Sequence, residues 1–228
     1  KDSTIFIHHD NLYLRNIAWG LNQISYGSED GLYINGHVTG NSPYLTFEWK
    51  AGKDGEHHEV KTQLIGEYNF ANALAAVTIG HFFDVESGKI DTALKEYTPQ
   101  NNRSQLKQTA DNTLIIDAYN ANPTSMQASI SNFHNMEIDN KMLILGDMRE
   151  LGKDGPKEHQ KIVDFLTECG FKDVMLVGEQ FAAARHDFPT YPDAPAVIEA
   201  LQKNKPHGKT ILIKGSNGIK LSTVIDYL

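Results

Sequence analysis

Only one of the 228 residues, Cys169, is a cysteine, so an intrachain disulfide is excluded and a reducing compartment, the cytoplasm, is expected. No uninterrupted apolar run approaches the roughly 20 residues of a membrane-spanning helix. No signal peptide is visible either, and membrane insertion is not expected. Lysine and arginine nowhere cluster, and they number 21 against 29 acidic residues, for a net charge of −8. That balance argues against a nucleic-acid partner, whose phosphates need a basic face. Internal repeats and low-complexity segments are absent. So are H-E-x-x-H and C-x-x-C, and no metal site built by this chain is expected. His57 and His58, being adjacent, point to opposite faces of an extended segment and make a poor metal pair. His159 in "KEHQKIV" either faces the same edge as Asp147 or, more simply, lies on exposed helical surface, and Cys169 in "FLTECGF" is expected as a buried packing residue where a helix ends at Gly170.

What is present is an ordinary globular composition, 40% apolar and 22% charged. The halves read differently. From Thr4 to Leu64 short β-like runs ("TIFIHH", "GLYING", "YLTFEW", "HEVKTQL") are separated by turn residues. Residues 66–83, "GEYNFANALAAVTIGHFF", change to helical spacing and are rich in alanine, and a second helix runs from a Ser87 cap candidate to about Tyr97. "TPQNNRSQ" has no periodicity and marks a boundary, giving domains at 1–99 and 104–228. Beyond it, strands at Leu114–Asp117, Met142–Leu145, Val174–Val177 and Thr210–Ile213 alternate with helices at about 123–136, 156–169, 179–186, 194–203 and 218–228. The fold class is α/β, the second domain Rossmann-like around a mostly parallel sheet covered on both faces.

In such sheets ligands bind beyond the carboxyl ends of the strands. Four strands end there on polar or glycine-rich stretches, "IIDAYNAN", "LILGDMRE", "MLVGEQ" and "ILIKGSNG", which would gather Asp117, Asp147, Glu179 and Lys214 along one edge. "VGEQ" reads most simply as an ordinary strand end. Asp117 either caps the next helix or binds a ligand. Asn122, directly before Pro123, is the natural cap, which leaves Asp117 able to accept from a ribose diol. Asn69 and Asn72, three apart on one helical face, are either caps or a pair able to read a nucleobase edge. Arg103, at the proposed junction, has the fork geometry to clamp a phosphate. "IKGSNGIKLS" fails the order of a nucleotide phosphate loop because Lys214 precedes Gly215. Lys214 and Ser216 remain candidates for a carboxylate at a helix N-terminus.

Taken in order, "GEYNFANALAA", Arg103, "IDAYNANPTSM", "LGDMRELG" and "IKGSNGIKL" resemble the Mur ligases, specifically from Gly66 onward and loosely before it. Within the family they are most similar to members that add D-alanyl-D-alanine to UDP-N-acetylmuramoyl-tripeptide in peptidoglycan synthesis. The resemblance implies an ATP- and Mg2+-dependent carbon–nitrogen ligase acting as a monomer through an acyl phosphate. Residues 1–99 would be the later part of a central ATP-binding domain, and 104–228 the C-terminal ligase domain. The G-T-[NS]-G-K-T phosphate loop and most magnesium ligands would lie upstream, so the chain is expected to be a fragment, inactive alone. By the same resemblance Asn69 and Asn72 lie at adenine, Arg103 reaches the ATP phosphates and has the catalytic role, and Asp117 holds the ribose. Tyr119 joins the nucleotide site and, with Asn120 and Asn122, shapes the cleft wall; Asn120 and Asn122 face substrate. Asp147, Arg149, Lys214 and Ser216 are then substrate-edge residues, with Lys214 suited to the dipeptide carboxylate. The rival readings are another Mur or folylpolyglutamate-type ligase, which amino-acid screening separates, and a non-catalytic α/β nucleotide-binding domain, which would bind ATP tightly without magnesium.

Overall fold

In a computed structural model, described for residues 3–41, 43–100 and 102–228, the chain divides into two compact units, Lys1–Thr98 and Pro99–Leu228. Asn101, in the expected boundary segment, and the first two residues lie outside the described residues. Among the described residues no helix is long and apolar enough to cross a membrane.

The first unit runs β1 (Thr4–His8), α1 (Leu12–Ile17), β2 (Asn22–Gly27), β3 (Ile34–Asn41), β4 (Tyr44–Ala51), β5 (His58–Ile65), α2 (Phe70–Phe82) and α3 (Ser87–Glu96). The strands form one sheet in sequence order, parallel from β1 to β3 and antiparallel from β3 to β5. Leu45, Phe47 and Trp49 alternate inward along β4, the period of a strand with one buried face. They meet Ala73, Leu74 and Val77 of α2 and Ile90 of α3. Sequence spacing missed β2 and the short helix α1, in which no residue is buried. It also placed the α3 cap one residue late, since Glu86 holds that position and Ser87 begins the helix.

Inside this unit Asp91 of α3 ties two strands together. Its Oδ1 accepts from Trp49 Nε1 at 2.8 Å, its Oδ2 lies 2.9 Å from His58 Nδ1, and the His58 and Trp49 rings stack with centroids 4.4 Å apart. Asp91→Ala strands the buried indole N–H and is expected to cost about 1–3 kcal/mol. Asp91→Asn, which keeps an acceptor, should cost less. Both tryptophans, Trp19 and Trp49, lie in this unit, so urea unfolding followed by their fluorescence reads the loss. Equal midpoints for Asp91→Ala and the unmodified chain would contradict the role.

The second unit runs β6 (Gln105–Gln108), β7 (Thr113–Asp117), α4 (Pro123–Asn135), β8 (Lys141–Gly146), α5 (Gly155–Glu168), β9 (Val174–Val177), α6 (Glu179–Ala183), β10 (Thr190–Tyr191), α7 (Ala194–Lys203) and β11 (Thr210–Lys214). The sheet order is β10-β9-β8-β11-β7-β6, parallel except for the edge strand β6. Leu114, Ile116, Ile211 and Ile213 pack on one face with α7 and the C-terminal turns. The intervening Ile115 and Leu212 face the other way and are equally buried. Strands buried on both faces account for the continuous apolar runs. The last expected helix is instead a pair of 3-10 segments, Asn217–Ile219 and Leu221–Tyr227, interrupted by Lys220 at φ +60°. The sequence reading missed β6 and β10, both short and at the sheet edges. Cys169, expected to be buried, is half-buried, and burial followed by the Glu168 charge pushes its thiol up.

Candidate functional site

Parallel register aligns Lys214 with Asp117 across β11 and β7, and both side chains fall on the face covered by α4. Lys214 Nζ donates to Asp117 Oδ2 at 2.5 Å and approaches the Asn120 carbonyl at 3.5 Å. Ser129 Oγ of α4 donates to the same Oδ2 at 3.3 Å. The lysine side chain is 2% exposed and the aspartate side chain 13%. A buried ammonium needs such a partner, because its desolvation otherwise costs several kcal/mol. Lys214, expected to meet an incoming carboxylate, is therefore enclosed and already paired. Among the described residues both bonds to Asp117 fall on Oδ2, and Oδ1, with two lone pairs, is the oxygen left to accept from a ligand hydroxyl.

The turn after β7 carries the polar residues the sequence singles out. Asn122 caps α4, accepting from the Ser125 N–H at 2.8 Å, while Ser125 Oγ accepts from the Asn122 N–H. Its side chain is thereby occupied by the helix terminus. Asn120 is exposed, and its Oδ1 accepts from the Ala121 N–H. Tyr119 is 47% exposed, and the Arg103 guanidinium lies 3.7 Å from its ring centroid. Asn102 and Ser104, on either side of Arg103, hold positive φ values of 58° and 45°. In the first unit Asn69 Nδ2 donates to the Ile65 carbonyl at 2.8 Å just before α2, and Asn72 is exposed one turn later.

A cavity of about 600 Å3 opens at the carboxyl ends of β8 and β9. Its lining comes from the 147–152 loop, Gly155, Gly178–Gln180, Pro192 and Ile219. Asp147, expected at a substrate edge, spends both oxygens on the start of α6, accepting from the Gln180 and Phe181 N–H groups at 3.0 Å. It can do so because Gly178, at φ +120°, leaves room where a Cβ would strike the carboxylate. Ser216 is also buried, its Oγ accepting from the Arg149 N–H at 2.8 Å and facing the Ala121 carbonyl. The Arg149 side chain is left at the cavity, with its guanidinium against Gly218, where a Cβ would collide with it. Glu150 and Glu179 line the same space, so the cavity presents both signs of charge. Glu179, placed at this edge by the sequence but taken as an ordinary strand end, is brought to the cavity as the first residue of α6.

His159, read most simply as exposed surface, is fully enclosed and instead meets the alternative of facing Asp147, with Nε2 3.5 Å from Asp147 Oδ1. Its burial follows from its place on the inner face of α5, with Ile162, Val163 and Leu166. Among the described residues no three His, Cys, Asp or Glu side chains converge as a metal site.

The second unit is thus a doubly covered α/β domain with its polar chemistry at the carboxyl ends of a mostly parallel sheet, the place where such folds take ligands. Residues 102–217 match the family described as Mur ligase, glutamate ligase domain, and the chain belongs to the Mur ligase family. Among curated relatives it is similar to a UDP-N-acetylmuramoyl-tripeptide–D-alanyl-D-alanine ligase of Synechocystis, 27% identical over all of this chain and 50% of that protein. It is 29% identical to the Escherichia coli protein of the same name over 87% of this chain and 44% of that one. Two solved structures share its fold. MurF from Acinetobacter baumannii has a TM-score of 0.81 at 23% identity, covering 99% of this chain and 51% of that one. MurF from Thermotoga maritima in complex with ADP has a TM-score of 0.82 at 17% identity, covering 99% and 53%. The chain spans about half the length of the relatives it matches.

Proposed function

We propose that an enzyme containing this chain uses ATP to join D-alanyl-D-alanine to UDP-N-acetylmuramoyl-tripeptide in peptidoglycan precursor synthesis, in the cytoplasm and as a monomer. The observation that carries the substrate is Arg149 at a cavity also lined by Glu150 and Glu179, a charge layout that fits a zwitterionic dipeptide. The relatives that match the chain carry this activity in their names. In this reaction the terminal carboxylate of the tripeptide is phosphorylated, the dipeptide amine attacks the acyl phosphate, and the tetrahedral intermediate expels phosphate.

The residues of the second unit would serve that chemistry in distinct ways. Arg149 holds the dipeptide carboxylate, the role the sequence suggested for Lys214, and Ser216 and Asp147 shape the loop and helix around it. Asp117 Oδ1 accepts from a ribose hydroxyl, with Lys214 fixing its orientation. Arg103, seated on Tyr119, offsets phosphate charge, and Asn120 flanks it. Asn69 and Asn72 are proposed at the adenine by family resemblance. Magnesium, when bound, offsets phosphate charge, and its ligands are not assigned to this chain.

Turnover tests the reading directly. Phosphate release should require ATP, UDP-N-acetylmuramoyl-tripeptide and D-alanyl-D-alanine together. Equal release with a single amino acid would point to another member of the superfamily, and tight magnesium-independent ATP binding without turnover to a non-catalytic domain. Arg103→Ala should lower kcat more than it raises the KM for ATP, because a phosphate contact that strengthens as charge moves acts on the transition state. A raised KM with unchanged kcat would place Arg103 in static binding.

A further inference from the structure

At a wholly enclosed position on α5 a hydrophobic side chain is the ordinary choice, yet residue 159 is a histidine with 0% exposure. Buried polar atoms are kept where they have partners, and both ring nitrogens have one. Nδ1 lies 2.7 Å from the Gly155 carbonyl, an acceptor, so Nδ1 carries the proton. Nε2 accepts from the Met148 N–H at 3.0 Å. Asp147 Oδ1 is 3.5 Å from Nε2, but with that nitrogen accepting there is no proton to share, and the contact is not an ion pair. The ring also meets Phe181 edge-on, with centroids 4.7 Å apart. The histidine thus touches three parts of the cavity wall, namely the start of α5, the loop after β8 and the start of α6.

The next amide along the loop is held from a different element. Arg149 N–H donates to Ser216 Oγ, beyond β11, so two consecutive amides are fixed by two buried side chains. Glu150 then turns the chain at φ +67°. With the two amides leading into its Cα held, Arg149 has a defined starting direction and its guanidinium rests against Gly218.

We infer that His159 is a positioning residue for the cavity: its Nδ1–H tautomer pins the Met148 amide and thereby aims Arg149. The loop-positioning role stands on the geometry, and its effect on dipeptide binding rests on the reading of the cavity as the dipeptide site. The two amide variants separate it from plain packing. His159→Gln places an acceptor near the Nε2 position, whereas His159→Asn reaches only as far as Nδ1 and leaves the Met148 N–H without a partner.

The test uses the 15N-labelled chain, with unchanged β7 and β8 amide signals as the check that each variant folds. Hydrogen exchange at Met148 and Arg149 and NMR titration with D-alanyl-D-alanine are the readouts. His159→Asn should speed exchange at both amides and weaken dipeptide binding, each by about tenfold, the scale of one hydrogen bond. His159→Gln should restore both. Unchanged exchange in His159→Asn, or the same loss in both variants, overturns the inference. If His159→Asn loosens the loop and His159→Gln restores it while Arg149→Ala leaves dipeptide binding unaffected, the positioning role stands and the dipeptide reading fails.

Discussion

Asp117→Ala is expected to destabilise the second unit by about 3–5 kcal/mol, since it leaves the Lys214 ammonium buried and unpaired. The reverse deletion, Lys214→Met, should cost less, because the Asp117 side chain keeps 13% exposure and its Ser129 partner while the lysine side chain has 2%. Removing both charges should recover most of the loss, as two well-packed apolar groups replace a desolvated pair. Hydrogen exchange along β7 and β11 reads this cycle, since neither tryptophan lies in the second unit. Additive single losses would mean that the two residues do not act as a pair. In turnover, Asp117→Asn should keep the shape and raise the KM for ATP about ten- to hundredfold, the value of one charge-assisted hydrogen bond at roughly 1.5–3 kcal/mol. An unchanged KM for ATP would restrict Asp117 to a scaffold role.

Arg149→Ala should raise the KM for D-alanyl-D-alanine by a similar ten- to hundredfold, from loss of a charge-assisted bond worth roughly 1.5–3 kcal/mol, and leave the KM for ATP in place. Arg149→Lys should recover only part, because a point charge cannot reproduce the paired fork on a carboxylate. Lys214→Met provides the contrast. If Lys214 rather than Arg149 received the dipeptide, its loss would raise the dipeptide KM most. Its enclosure beneath α4 predicts instead that its loss acts on ATP, through Asp117.

Although the expected C-terminal helix forms 3-10 segments, the inner strands of the second unit and the helices between them were legible because those strands are buried on both faces and alternate with helices in the pattern of a parallel sheet. β6, β10 and α1 were not, being short and poor in buried residues, with little hydrophobic period to read. Site residues were found as residue types at strand ends, and their partners were not. The Lys214–Asp117 pair depends on strand register between segments 97 positions apart. Asp147 turned inward because Gly178, thirty-odd residues later, starts a helix beneath it. His159 shows the same limit, since spacing alone does not distinguish a helical histidine facing solvent from one holding a loop amide. The cap at Asn122 was legible because that role is local, set by the proline that follows and the serine three residues on, whereas its expected substrate contact came from resemblance alone.

Titration of the 15N-labelled chain with D-alanyl-D-alanine addresses the central claim most directly. The account predicts saturable shifts at the amides of Arg149, Glu150, Glu179 and Gly218 that vanish in Arg149→Ala. Shifts centred instead on Asn120 and Ser129, or persisting unchanged in Arg149→Ala, would contradict it.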